Sequence, residues 1–161
     1  MLIHEIKPVF DKDSKVLILG SFPSPKSREQ GFFYGHPQNR MWIVLANVLG
    51  QEIPKTVEEK RNFLLKNKIA MWDVLASCEI VGASDASIKD EKPNDLRLII
   101  EKSSIKLIVT AGKKATSYFE KYQKGFYEIK HIEMPSTSPA NATFSLDKLC
   151  RAYSVIKDYL E

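Results

Sequence analysis

Lys15-Val16-Leu17-Ile18-Leu19-Gly20 is a short apolar run that stops at a glycine. Without polar alternation it reads as a strand buried on both faces, which is the signature of a parallel sheet. Three comparable runs follow: Ile69-Ala70-Met71-Trp72-Asp73-Val74, Ile105-Lys106-Leu107-Ile108-Val109-Thr110 and Ile129-Lys130-His131-Ile132-Glu133-Met134. Between them the spacing turns helical. Met41, Val44, Leu45 and Val48 share one face of a helix from Asn39 to Leu49, which Gly50 stops. Thr56-Val57-Glu58-Glu59 is a capping box that opens a helix to about Lys66. Pro93-Asn94-Asp95 starts another, to about Lys102, and a further one runs from about Lys113 to Lys121. Leu146, Leu149, Tyr153 and Ile156 form the apolar stripe of a last helix. Alternating strands and helices predict the α/β class: one domain over residues 1–161, three layers α/β/α around a four-stranded, mainly parallel sheet. Such sheets build their sites at the carboxyl ends of the strands. That rule selects the Pro/Ser/Gly-rich loop from Ser21 to Gly35, the Thr110-Ala111-Gly112 turn and the loop after Met134.

Bulk properties narrow the function classes. A chain of 161 residues with 43% apolar and 27% charged residues is long enough for a real core and is not disordered. A net charge of +4 suits a polyanionic partner without requiring one. Cys78 and Cys150 are distant and form neither a disulfide framework nor a zinc ribbon. His4 and His131 have no carboxylate or cysteine at metal-ligand spacing, so neither metal nor cofactor is expected. No apolar run approaches membrane-spanning length, and Met1 to Lys7 lacks a signal-peptide pattern. The expected location is the cytoplasm and the expected state a monomer.

Two loops carry unusual sequence. The first reads Gly20-Ser21-Phe22-Pro23-Ser24-Pro25-Lys26-Ser27, then Tyr34-Gly35-His36-Pro37-Gln38-Asn39-Arg40-Met41-Trp42. The second, Met134-Pro135-Ser136-Thr137-Ser138-Pro139-Ala140-Asn141, is rigid, polar and uncharged. Together they resemble the two motifs of the uracil-DNA glycosylase superfamily, and the order of strands agrees over nearly the whole chain. Where mismatch-specific uracil glycosylases place a water-activating Asn, this chain has Phe22, whose ring cannot position water. Gly-Ser-Phe-Pro-Ser with Gly-His-Pro-Gln-Asn-Arg and Ser-Pro-Ala-Asn instead resembles the hypoxanthine-DNA glycosylase branch, family 6.

The resemblance implies a monofunctional glycosylase that flips a deaminated base, hypoxanthine first, out of double-stranded DNA and hydrolyses its N-glycosidic bond. No lysine stands where the motif places a nucleophile. Asn39 is the implied catalytic amide, orienting water through its carbonyl oxygen. Ser21 and Phe22 backbone N–H groups, Tyr34 as stacking ring and His36 are the base-binding candidates. Ser136, Thr137, Ser138, Pro139, Lys26 and Arg40 are the DNA-binding candidates, with Arg28, Lys113 and Lys114 as further phosphate contacts. Simpler readings stand beside these. Asn39 doubles as a helix N-cap, His36 as a loop histidine, and at least one of Phe32, Phe33 and Tyr34 as core. Trp42 and Trp72 read as core, Asn94 and Asp95 as an ordinary helix start, and Asp73 and Asp85 as minor candidates for the site. A mismatch-specific uracil or thymine glycosylase, a DNA-binding protein without catalysis, and a small-molecule nucleotide-binding domain are the alternatives.

Overall fold

The computed structural model describes residues 1–79, 88–123, 125 and 128–161. Asp85 and the polar stretch around it lie outside the described residues. With elements numbered in chain order, the four expected strands are β2 (Val16–Gly20), β3 (Ile69–Asp73), β6 (Leu107–Ala111) and β7 (Lys130–Met134). They form one wholly parallel sheet in the order β3-β2-β6-β7. Every residue of β2 and β3 is buried, so both faces of the sheet are covered. The covering helices are α2 (Met41–Leu49), α3 (Val57–Lys66), α5 (Lys113–Tyr122) and α6 (Leu146–Tyr153). Leu17, Ile18, Leu19, Leu107, Ile108 and Val109 are fully buried. Each such side chain contributes about 1.5–3 kcal/mol relative to exposure, which makes the sheet the rigid base of the molecule.

The local signals act as read. Thr56 Oγ1 accepts from Glu59 N–H at 3.0 Å, and Glu59 Oε1 accepts from Lys55 N–H. Gly50 takes the left-handed conformation at φ 65° and closes α2. Leu149, Tyr153 and Ile156 are buried, whereas Leu146 is exposed at the helix start and Ile156 lies on a terminal 3-10 helix, Ser154–Tyr159. Phe32, Phe33, Trp42 and Trp72 are core.

Three features differ from the sequence reading. The stretch from Ser21 to Gly35 is not all loop, because it contains α1 (Pro25–Gln30). Ser24 caps it, Pro25 occupies its first position, and Gly31 ends it at φ 78°. The helix has no apolar period to betray it. Second, β1 (Leu2–Ile3), β4 (Leu75–Glu79) and β5 (Lys89–Pro93) form a separate antiparallel sheet. β4 is the continuation of β3: Val74 N–H donates to the Gly20 carbonyl and Leu75 N–H to the Ser21 carbonyl as the chain bends away. Third, the helix expected from Pro93 to Lys102 is the single turn α4 (Arg97–Ile100). Asn94 is not an ordinary helix start. It is buried, and its Nδ2 donates to the Asp73 and Leu75 carbonyls, at 2.9 and 3.0 Å, clamping the bend where β3 becomes β4.

Candidate active site

The last residues of all four parallel strands, Gly20, Asp73, Ala111 and Met134, line one open cleft of about 1220 Å³. The two unusual loops form its walls. Ser21, Phe22, Tyr34, His36 and Asn39 reach it from the first, and Ser136, Thr137, Ser138 and Pro139 from the second. Arg28, Lys113 and Lys114 also line it. The sequence thus placed its candidates around one space, with two exceptions. Lys26 is off the cleft, exposed and 3.6 Å from Glu29. Arg40 does not reach toward phosphate either. Its guanidinium donates to the carbonyls of Ser138, Asn141 and Phe144. Arg40 is a clamp on the second loop.

Asn39 sits where that clamp meets α2. Its Oδ1 accepts from Met41 N–H at 2.9 Å and from the Thr137 hydroxyl at 2.8 Å. Met41 N–H can only donate, so the amide's orientation is fixed: oxygen toward the helix, Nδ2 away from both donors. The N-cap of α2 is Arg40, which makes no side-chain cap bond, so Asn39 is not the N-cap expected from the sequence: it stands one residue ahead and closes an Asx-turn onto Met41 N–H at the helix entrance. Thr137, proposed from the sequence to touch DNA, is buried at 1% exposure and bonds Asn39 instead. Its carbonyl accepts from Arg40 N–H, so the two loops are stitched together on both sides of the amide.

The second loop holds its shape through side-chain turns. Ser136 Oγ accepts from Ser138 N–H, and Ser138 Oγ accepts from Ala140 N–H. Each hydroxyl keeps its own hydrogen for an outside acceptor. Tyr153 O–H donates to the Pro135 carbonyl at 2.8 Å, and burial raises the Tyr153 pKa above its ordinary range, which keeps that donor protonated. Gly112, at φ 98°, allows the turn into α5. A Cβ there would stand 3.2 Å from Ser136.

On the opposite wall, Tyr34 has a positive φ of 51°, uncommon for a bulky residue. Gly35 follows it so closely over α1 that a Cβ would lie 3.1 Å from Ser27 Cα. The Tyr34 ring borders the cleft while its hydroxyl is buried without a partner among the described residues. Burial first, then the Asp73 charge, then Tyr153 raise its pKa, so the phenol stays protonated. His36 Nδ1 accepts from Gln38 N–H at 3.0 Å, the loop-histidine arrangement. Arg28 lies over the Phe22 ring at 5.9 Å, and its Nη1 is buried without a partner among the described residues.

One pair escaped the sequence reading. His4 Nε2 and Asp73 Oδ2 are 2.8 Å apart across 69 residues, with side chains 1% and 7% exposed. His4 does have a carboxylate partner, which only the fold supplies. The signal available in the sequence was Asp73 itself, an acid closing an apolar strand.

Comparison with known proteins agrees with this geometry. The family described as the uracil DNA glycosylase superfamily matches residues 7–161. A protein of Methanosarcina acetivorans named hypoxanthine DNA glycosylase is 34% identical over 150 residues, covering 92% of this chain and 94% of that one. Its namesake from Methanosarcina barkeri is 35% identical over 136 residues, covering 83% and 85%. A solution NMR structure of a Methanosarcina acetivorans protein described as a candidate uracil DNA glycosylase superposes with a TM-score of 0.82 at 30% identity, over 99% of each chain.

Proposed function

The chain belongs to the uracil-DNA glycosylase superfamily and is a DNA glycosylase, and from that premise we propose that it removes hypoxanthine from double-stranded DNA in base excision repair. Similarity to two proteins named hypoxanthine DNA glycosylase supports that substrate. The observation that carries the reading is the convergence of Asn39 and the first-loop residues on one cleft at the strand ends.

The flipped nucleotide enters between the two loops. Tyr34 stacks on the base, Phe22 forms a second wall, and the backbone N–H groups of Ser21 and Phe22, with His36, meet its polar atoms. Ser136 and Ser138 donate hydroxyl hydrogens to phosphates beside the lesion, and Pro139 at the exposed loop tip faces the duplex. Hydrolysis breaks the bond between the sugar carbon C1′ and the base nitrogen. The bonding pair leaves with the base, and a water oxygen bonds C1′ while releasing its proton. Asn39 orients that water through Oδ1. Thr137 is the exchangeable partner, since its hydroxyl rotates and a water proton takes its place while Met41 N–H keeps the amide aligned. No lysine stands where the motif places a nucleophile, so an abasic site is the product and the strand stays intact. On this reading the enzyme works as a cytoplasmic monomer.

The test is base release from duplexes carrying deoxyinosine, deoxyuridine or a G:T mismatch, followed by alkali. Cleavage at deoxyinosine supports the proposal. Cleavage at uracil alone overturns it in favour of a mismatch-type enzyme that works despite Phe22. Tight duplex binding with no release at any lesion points to a binding protein.

A further inference from the structure

We propose that Arg28 holds a phosphate of the flipped nucleotide itself, and so strengthens binding to damaged DNA without strengthening binding to intact duplex. This rests on the reading that a nucleotide is extruded into the cleft. Arg28 lines that cleft. Its guanidinium lies over the Phe22 ring, 5.9 Å from the centroid, and its Nη1 is buried with no hydrogen-bond partner among the described residues. None of the ion pairs among the described residues includes it. His4 packs edge-on against the same ring, so the ring that carries the guanidinium is itself held.

The place of Arg28 is set by α1. Its N–H donates to the carbonyl of the cap residue Ser24 at 2.9 Å. The preceding residue, Ser27, is buried, and its Oγ accepts from Gly35 N–H at 2.9 Å. Gly35 adjoins Tyr34, so the helix that carries Arg28 is tied to the residue beside the stacking ring. A flipped base seated on Tyr34 therefore brings its sugar and phosphates to a fixed place relative to α1.

The other cations near the cleft are already engaged or hydrated. Arg40 bonds three carbonyls, and Lys26 pairs with Glu29. Lys113 and Lys114 are exposed, so a phosphate replaces water around them for little gain. Arg28 differs. Part of its guanidinium has lost water and gained no counter-ion, a costly state that an arriving anion relieves. Two N–H groups of the planar guanidinium can meet two oxygens of one phosphate. In intact duplex every phosphate lies on the outer backbone, within reach of the exposed lysines. Only an extruded nucleotide carries its phosphates toward the cleft wall. The base is neutral until its bond to the sugar breaks, so phosphate is the anion that the bound substrate offers.

The test measures binding to undamaged duplex and to duplex carrying 2′-fluoro-deoxyinosine. The fluorine withdraws electrons from C1′, so the base is held without being released. Arg28→Met keeps the stem over Phe22 and removes the charge. It is expected to bind the lesion duplex roughly 10- to 100-fold more weakly than the wild type, and undamaged duplex equally well. The slope of log affinity against log salt should fall by about 0.9 on the lesion duplex alone. Replacing the phosphate on the 5′ or the 3′ side of the lesion by a neutral methylphosphonate locates the partner. At one of the two sides the replacement should cost the wild type a similar factor and cost Arg28→Met nothing further. Melting curves verify that the variant folds, and the wild-type response to the methylphosphonates decides the matter where it does not. A wild type indifferent to both methylphosphonates overturns the proposal. So do equal losses of Arg28→Met on damaged and undamaged duplex, or losses that add at both sides. Unchanged binding with slower release from deoxyinosine also overturns it, and would put the guanidinium against the departing base. A wild type that binds the lesion duplex selectively but never releases hypoxanthine would overturn the glycosylase reading and leave this inference standing.

Discussion

Asn39 holds two jobs at one atom. Its Oδ1 closes the turn into α2 through Met41 N–H, one residue ahead of the N-cap Arg40, and on the proposed mechanism it is also the oxygen that meets the attacking water. The two jobs are separable by substitution. Asn39→Ala removes both and is expected to lower base release about 10²- to 10⁴-fold. Losing the bond to Met41 N–H should also cost about 1 kcal/mol, a fall in Tm of roughly 2–4 °C for a chain of this size. Asn39→Asp keeps an acceptor for Met41 N–H and should melt close to the wild type. Thermal melts beside single-turnover rates check both. An active Asn39→Ala would remove Asn39 from the chemistry, and an unshifted melt would show that its bond to Met41 N–H does not stabilise the helix entrance. The sequence offered both readings because both are local, a polar residue ahead of an apolar helix inside a distinctive motif; the structure moves the N-cap one residue on, to Arg40, and leaves Asn39 the turn before it. His4 was opaque for the opposite reason. Its partner Asp73 lies on another strand, and no spacing rule links them.

At the scale of elements, the second loop is rigid because Arg40 ties it down. Three carbonyls, of Ser138, Asn141 and Phe144, share one guanidinium. Removing it leaves those acceptors without a charged donor and lets the loop drift from Asn39. Displacement of a positioned group by about 1 Å can lower a rate by 10²-fold. Arg40→Met is therefore expected to reduce base release by about that factor while the slope of log affinity against log salt stays unchanged. A phosphate contact would behave otherwise, lowering the slope by about 0.9. A reduced slope in Arg40→Met would restore Arg40 to the DNA interface. The elements missed from sequence share a cause. α1 is a proline and five polar residues, and its helix is set by its caps, Ser24 and Gly31. The Lys-Asp-Glu-Lys-Pro strand β5 has no alternation, and its pairing with β4 makes it a strand. The four central strands were legible because burial on both faces demands apolar residues throughout, a requirement the chain can meet only in its sequence.

At the scale of the molecule, the parallel sheet decides where the chemistry lies. Parallel strands end together, so Gly20, Asp73, Ala111 and Met134 open on the same cleft although they are spread over the chain. Around that cleft the lysines are exposed, beside the exposed Glu133, and one carboxylate is buried. Asp73 is buried at the floor, whereas Lys113 and Lys114 are exposed on the first turn of α5, where the helix dipole adds positive potential. A flipped nucleotide brings an uncharged base to the floor and leaves its phosphates near the rim, which matches this division. Floor and rim should then fail differently. Lys113→Ala is expected to weaken binding by a similar factor for deoxyinosine duplex and undamaged duplex, and to lower the salt slope by about 0.9. Base release at saturating enzyme should be unchanged, because no reacting group is touched. Binding isotherms on both duplexes between low and moderate salt, with single-turnover rates alongside, make the measurement. A slope that does not move would mean that the DNA backbone passes on the other side of the cleft, over Arg28 and α1. A loss confined to the damaged duplex would mean that Lys113 reaches the flipped nucleotide itself.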